Sequence, residues 1–203
     1  MATIEDSVVR SLECPPFPVH RFTVEEYQRM GELGILTEDD RVELLEGWIV
    51  PKMNRNPPHD GTIEILQRWF IHNLPTGWSC RIQSALVMKD SQPEPDLVIV
   101  RGDPIERLRR HPGPNDTGLV VEVADASLES DRGEKSRIYA SGRIPCYWIV
   151  NLFDQQIEVR TDPTGPRQRP VFRNQTIFQR DAEIQLVLDG EIVASAIVAE
   201  FFP

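Results

Sequence analysis

Asp96, Glu122 and Lys135 are the residues whose types and spacing could do chemistry. Asp96 opens an apolar run, Asp96-Leu97-Val98-Ile99-Val100, and Glu122 sits inside another, Leu119-Val120-Val121-Glu122-Val123-Ala124. Lys135 follows in a segment of helical character. An ionised carboxylate in a strand that otherwise reads as buried is costly unless something positive sits against it. Two such strands side by side would aim two carboxylates, and with them an ammonium, at one point. That is how a hard divalent cation is held next to a scissile phosphate. Each residue also has a plainer account. Asp96 fits a strand-entry turn after Pro95, and Glu122 fits a buried ion pair with Lys135 or an arginine.

The bulk properties narrow the setting. A chain of 203 residues suits one domain, or one domain with an arm. No stretch reaches the ~20 apolar residues of a membrane span, and the first residues lack a basic-then-apolar leader, so a cytoplasmic protein without membrane association is expected. Cys14, Cys80 and Cys146 are odd in number and far apart, against a disulfide framework or a CxxC zinc site. The net charge of −10 excludes a protein whose whole surface grips nucleic acid. Such contact would need a local basic surface. The candidates are Arg107, Arg109 and Arg110, then Arg132, Lys135, Arg137 and Arg143, then Arg160, Arg167 and Arg169, each equally readable as solvated charge.

The elements that must position these groups can be read from pattern. Residues 1–20, with Pro15, Pro16 and Pro18, suggest an extended arm, and 21–203 one domain. Thr23-Val24-Glu25-Glu26 is a capping box that starts a helix ending at Gly31 or Gly34. Residues 41–50 read as a strand pair about Gly47. A helix near 59–74 carries Ile63, Leu66, Trp69, Phe70 and Leu74 at helical spacing. Strands are expected over 80–88, 96–100 and 118–124, with a Pro/Gly/Arg-rich connection from Gly102 to Thr117. A helix over 131–141 is stopped by Gly142 and Pro145. Strands at 146–151 and 156–160 follow, then a loop at 162–166 and a last strand with Ile184, Leu186 and Leu188. Strands mixed with few helices give an α/β fold, a central mixed sheet flanked by helices.

The segments Glu94-Pro95-Asp96-Leu97, Val120 through Lys135, Tyr139-Ala140 and Gly142 through Asn151, with Arg41 through Gly47 upstream, resemble the Uma-two family of bacterial endonucleases. That family belongs to the restriction-endonuclease-like PD-(D/E)xK superfamily, and the likeness runs from about residue 20 to the end. It implies that Asp96 is the aspartate of the first half-motif and Glu122 the acid of the second. The superfamily usually puts its lysine two residues after that acid, where this chain has Ala124; Lys135 then resembles a migrated lysine. Glu43 resembles the acid supplied ahead of the sheet, with Glu46 as fallback. The implied metal ligands are therefore Glu43, Asp96 and Glu122, the implied cofactor Mg²⁺ or Mn²⁺, and the implied substrate DNA.

The residues around this core bear on the same chemistry. Lys135 suits the orientation of a water or the stabilisation of developing negative charge. Asp131 lies four residues before it, either to position it or as a surface ion pair worth about 0.3–0.5 kcal/mol. His59 would touch substrate or simply sit in the Pro-Pro-His-Asp turn; Gln83 would line the site; Tyr139 would pack or act as an acid. No P-loop, GxSxG or GxGxxG is present. The leading expectation is a metal-dependent DNA endonuclease, working as a homodimer where both strands are cut. The rivals are a non-cleaving binding or regulatory protein of the same fold, and a metal-dependent hydrolase of something smaller.

Overall fold

The computed structural model describes residues 18–53, 55–102, 105 and 108–202. The expected Pro-rich arm, apart from residues 18–20, and Arg107 lie outside the described residues. Helix α1 (Val24–Glu32) opens on the expected capping box: Glu26 N–H donates to Thr23 Oγ1 at 3.1 Å, and Thr23 N–H to Glu26 Oε2 at 2.8 Å. Strands β1 (Val42–Leu45) and β2 (Trp48–Pro51) form a hairpin turned at Glu46 and Gly47, at φ 50° and 80°. Consecutive positive φ values in a two-residue loop match the twist of the paired strands. Gly47 is required on a second count, since a Cβ there would lie 2.7 Å from Arg21 Cβ.

Helix α2 (Pro57–Asn73) begins two residues before the expected start. Asn56 caps it, accepting from His59 N–H at 3.1 Å, and the two prolines fill the first turn, where a missing N–H costs nothing. Its buried side chains Ile63, Leu66 and Phe70 keep the helical spacing.

A six-stranded sheet follows, in the order β3 (Trp78–Ile82), β4 (Leu97–Arg101), β5 (Thr117–Ala124), β6 (Cys146–Asn151), β7 (Gln156–Pro163), β8 (Phe172–Phe178). Only the β5/β6 pair is parallel, and a helical crossover joins it, as parallel neighbours require. That crossover runs as α3 (Leu128–Ser130), a π-helical turn (Asp131–Lys135) and α4 (Ser136–Ser141). A second hairpin, β9 (Glu183–Leu188) with β10 (Glu191–Ile197), lies outside the large sheet. The architecture is thus the expected mixed sheet flanked by helices.

Several strands differ from expectation. The strand expected to Met88 stops at Ile82, because Gln83 adopts φ 44° and turns the chain away. β7 runs on to Pro163, through residues expected to form a loop. β8 and β10 were not expected at all; β8 is a sheet edge, largely exposed, and carries no apolar alternation.

Two apolar layers cover the sheet. Leu97, Ile99, Leu119, Val121, Val123, Trp148 and Val150 pack with α2, β9–β10 and the C-terminal Phe201 and Phe202. Val98, Val100, Val120, Ala124, Tyr147 and Ile149 pack with Ile138 and Tyr139 of α4 and with Leu86 and Met88. The period-two alternation puts Glu122 on the α4 side, between Val120 and Ala124.

Candidate active site

β4 and β5 pair with Leu97 opposite Val121, which brings Asp96, one residue earlier, beside Glu122. Asp96 N–H points to Glu122 Oε2 at 3.4 Å, and Val123 N–H donates to Asp96 Oδ2 at 2.9 Å. The two carboxylates are therefore fixed by the ladder itself. From the crossover, Lys135 Nζ donates to Glu122 Oε1 at 2.9 Å and lies 3.8 Å from Glu43 Oε1 and 3.9 Å from Asp131 Oδ1. The plainer account of Glu122, an ion pair with Lys135, is thus true of the contact, yet that ammonium is shared by three carboxylates. Ala124 is fully buried among apolar side chains, and the ammonium that reaches these acids comes from the crossover.

The remaining expected residues sort clearly. His59, on the first turn of α2, brings Nε2 to 3.2 Å from Asp96 Oδ2 and is therefore not a bystander in its turn. Glu43, in β1, accepts from Glu94 N–H at 3.0 Å. Asp131 Oδ2 accepts from Ser127 Oγ at 2.6 Å, while its Oδ1 is buried without a hydrogen-bond partner among the described residues. Tyr139 is sealed behind the site and donates to Glu122 Oε1 at 2.6 Å. Gln83 lines the same cleft and donates its N–H to the Asp96 carbonyl at 3.0 Å. Glu46 is not brought in: its carboxylate pairs with Arg137, at 2.7 Å through Oε2, and does not line the cleft.

Glu43, Asp96, Glu122, Asp131 and Lys135 all border one open cleft of about 750 Å³. Around it stand eight carboxylates and four lysine or arginine side chains. Burial raises the pKa of two of these acids, and the nearby cations do not offset it. Burial pushes Glu122 up to about 8; Lys135 opposes the shift, while Asp131 and Asp96 add to it. Burial likewise raises Asp131 to about 6, against the pull of Lys135 and the Ser127 hydroxyl. For Lys135 burial works against its charge, but Glu122, Glu43 and Asp131 together outweigh it, and it holds its proton more tightly than an ordinary lysine. Burial also lowers His59, and the hydrogen bond and charge of Asp96, with Asp60, more than reverse that.

These donors suit a hard cation in kind: carboxylate oxygens in surplus, bordering an open cleft, with no thiolate among them. Among the described residues no three His, Cys, Asp or Glu side chains are yet drawn together into a cage. The Lys135 ammonium occupies the point between Glu122, Glu43 and Asp131 instead.

Sequence reasoning overlooked several residues here. Lys52 forms an ion pair with Glu94, and Asn56 Nδ2 donates to Asp125 Oδ2 at 2.5 Å across the cleft mouth. Glu94 had a signal, its place two residues before Asp96; Asn56 had another, as a capping residue before Pro-Pro. Of the arginines offered as a basic surface, Arg132 and Arg160 are engaged with Glu158, and Arg137 with Glu46.

Comparison with known proteins bears on the fold and on the family. The crystal structure of a "putative nuclease belonging to DUF820" from Anabaena variabilis matches with a TM-score of 0.65 at 12% identity, over 89% of this chain and 97% of that one. At that identity the likeness shows a shared fold. No curated protein matches the sequence. The Uma2 family model, described as "Putative restriction endonuclease", matches residues 24–194. That span includes Glu43, Asp96, Glu122 and Lys135, and the chain belongs to the Uma2 family.

Proposed function

We propose that this protein is a metal-dependent endonuclease that hydrolyses DNA phosphodiester bonds, with Asp96, Glu122 and Lys135 as its catalytic groups. The observation that carries the reading is the meeting of Asp96, Glu122, Glu43 and Lys135 in one solvent-open cleft with surplus negative charge. Asp96 and Glu122, with Glu43, are the residues to hold Mg²⁺ or Mn²⁺. Bound there, such an ion supplies charge to neutralise the phosphoryl oxygens and makes a water more acidic.

The chain's own groups do the rest. Val123 N–H and His59 fix the Asp96 carboxylate, and Tyr139 O–H holds Glu122 Oε1 from the core side. Lys135 carries a full charge across the neutral range and stands at the cleft wall, where it orients a water or meets charge developing on the phosphate. Asp131 positions Lys135 from one helical turn away.

The test is incubation of supercoiled, linear and single-stranded DNA with Mg²⁺ or Mn²⁺, beside Asp96→Ala and Lys135→Ala. Loss of cleavage in both variants is expected. Cleavage at the wild-type level in both would place the activity elsewhere. DNA binding without metal or cleavage would favour a non-cleaving member of the fold.

A further inference from the structure

A second groove, of about 1160 Å³, adjoins the cleft. Arg41, Lys52 and Glu94 line both, so the two adjoin at a shared border. One wall is the end of α1 and the chain after it, through Gln28, Gly31, Glu32 and Thr37; the other is the segment from Arg109 to Gly113. The balance of charge reverses from this groove to the cleft. In the second groove the described lining residues include four cations, Arg41, Lys52, Arg109 and Arg110, against two carboxylates, Glu32 and Glu94. The cleft has twice as many carboxylates as cations. In a chain of net charge −10 a basic furrow leading into the acidic one is not the surface average.

The cations are held in different ways. Arg110 forms a two-pronged pair with Asp116, at 2.6 and 3.0 Å, which fixes its guanidinium at the groove wall. Arg41 stands at the junction in a left-handed conformation, φ 45°, and donates to the neutral Met53 carbonyl at 3.4 Å. A non-glycine residue kept at positive φ is held there by its surroundings. Here the surroundings are the ladder partner Lys52, whose N–H donates to the Arg41 carbonyl at 2.8 Å, and the turn capped by Asp40 on Thr37.

We propose that this groove is the track for the phosphate backbone of the DNA flanking the reaction cleft, with Arg41, Arg109 and Arg110 as its phosphate contacts. The inference rests on the nuclease reading and specifies it. A small anion would need one compact basic pocket. A linear polyanion needs positive charge spread along a furrow that ends where the cation and one scissile phosphate meet. It also bears on how an acidic protein can hold a polyanion: most carboxylates along the path stand at the end where a divalent ion would screen them. Contacts of this kind carry no base readout, so the track fixes register without selecting sequence.

The experiment uses the full chain, a fluorescein-labelled DNA oligonucleotide for anisotropy, and bis(4-nitrophenyl) phosphate as a diester too small to leave the cleft. Arg109→Gln with Arg110→Gln changes residues that line the second groove and not the cleft. This variant is expected to bind the oligonucleotide at least 5-fold more weakly and to show a shallower dependence of log Kd on log salt, by about one for each phosphate no longer neutralised. Its turnover of the small diester should match wild type. Glu32→Lys, which adds a cation to the same wall, is expected to tighten binding by a similar factor and so answers the objection that the double variant merely unfolds. Unchanged Kd and salt slope in both variants, or no oligonucleotide binding by the wild-type chain, would overturn the track. Absence of any diester hydrolysis beside normal track-dependent binding would instead remove the catalytic reading and leave the track standing.

Discussion

Two buried glutamates on the same side of the sheet meet cations from the same helical turn, with opposite outcomes. Glu122 on β5 meets Lys135; Glu158 on β7 meets Arg132, whose Nε donates to Oε1 at 2.9 Å. Around Glu158 the charges are generously answered, since Arg160 adds a second guanidinium 3.5 Å from Oε2 and is anchored by the Arg132 carbonyl at 2.7 Å. Glu158 is 0% exposed and does not border the cleft. Around Glu122 a single ammonium serves three carboxylates, and Asp96 stands beside them. A buried acid with two cations is an internal brace. Buried acids that outnumber their cation and open to solvent leave a place for another positive charge. What separates a structural ion cluster from a reactive one here is the local charge balance together with access, since the residue types are nearly the same.

That contrast can be broken in order of effect. Glu122→Gln should lower DNA cleavage at least about 10³-fold, equivalent to about 4 kcal/mol of barrier, in a protein that still folds, as plasmid nicking and circular dichroism together would show. Equal loss of fold and activity would erase the distinction. Glu158→Gln should do the reverse. With its carboxylate gone the buried Arg160 guanidinium loses its counter-charge, while part-exposed Arg132 keeps access to water, at a cost of about 3 kcal/mol in urea unfolding. A stability change within error would mean that the brace is not one.

Divalent metal should sharpen the contrast. Mg²⁺ is expected to raise the Tm of the wild type, by about 2.7 kcal/mol of added stability at a hundredfold excess over Kd, and to leave Asp96→Asn unaffected. A pH series should show the same charge shortage without metal. Because the folded-state value for Glu122 is raised from 4.5 to about 8, folding takes up a proton there. The stability so gained is complete below pH 4.5 and is lost as pH climbs through about 8. The metal-free Tm should therefore fall across that window, and Glu122→Gln should flatten the fall. Smallest of all, Tyr139→Phe removes one hydrogen bond at the back of Glu122 and should cost about 1 kcal/mol of stability.

Much of this site is legible in sequence because strand neighbours share a ladder. Two apolar runs, one opened and the other interrupted by an acid, bring Asp96 beside Glu122 when they pair, and the capping box at Thr23 marked where its helix begins. Helical spacing also gave the Asp131–Lys135 pair. The partners of an exposed or irregular segment carry no such periodic mark. β8 offers Arg173, Asn174 and Gln175 in a row at a sheet edge, where no buried face imposes alternation. The sorting of arginines into brace and groove depends on tertiary contacts, so Arg132 and Arg160 looked as available as Arg109. Glu46 and Glu43 were three residues apart and equally acidic. The hairpin turn at Gly47 decides between them, sending one carboxylate to Arg137 and leaving the other at the cleft.

The lone parallel junction in the sheet has a mechanical consequence. Because β5 and β6 require a crossover, the amine travels on a helical turn, with Asp131, while Asp96 and Glu122 are held by the β4/β5 ladder, so the two halves of the site are separately anchored parts. A small rotation of the wide turn at Asp131–Lys135 would retract the amine and leave those two ladder acids in place for an incoming ion. Backbone amide exchange in that turn, faster than in β5, would be its signature.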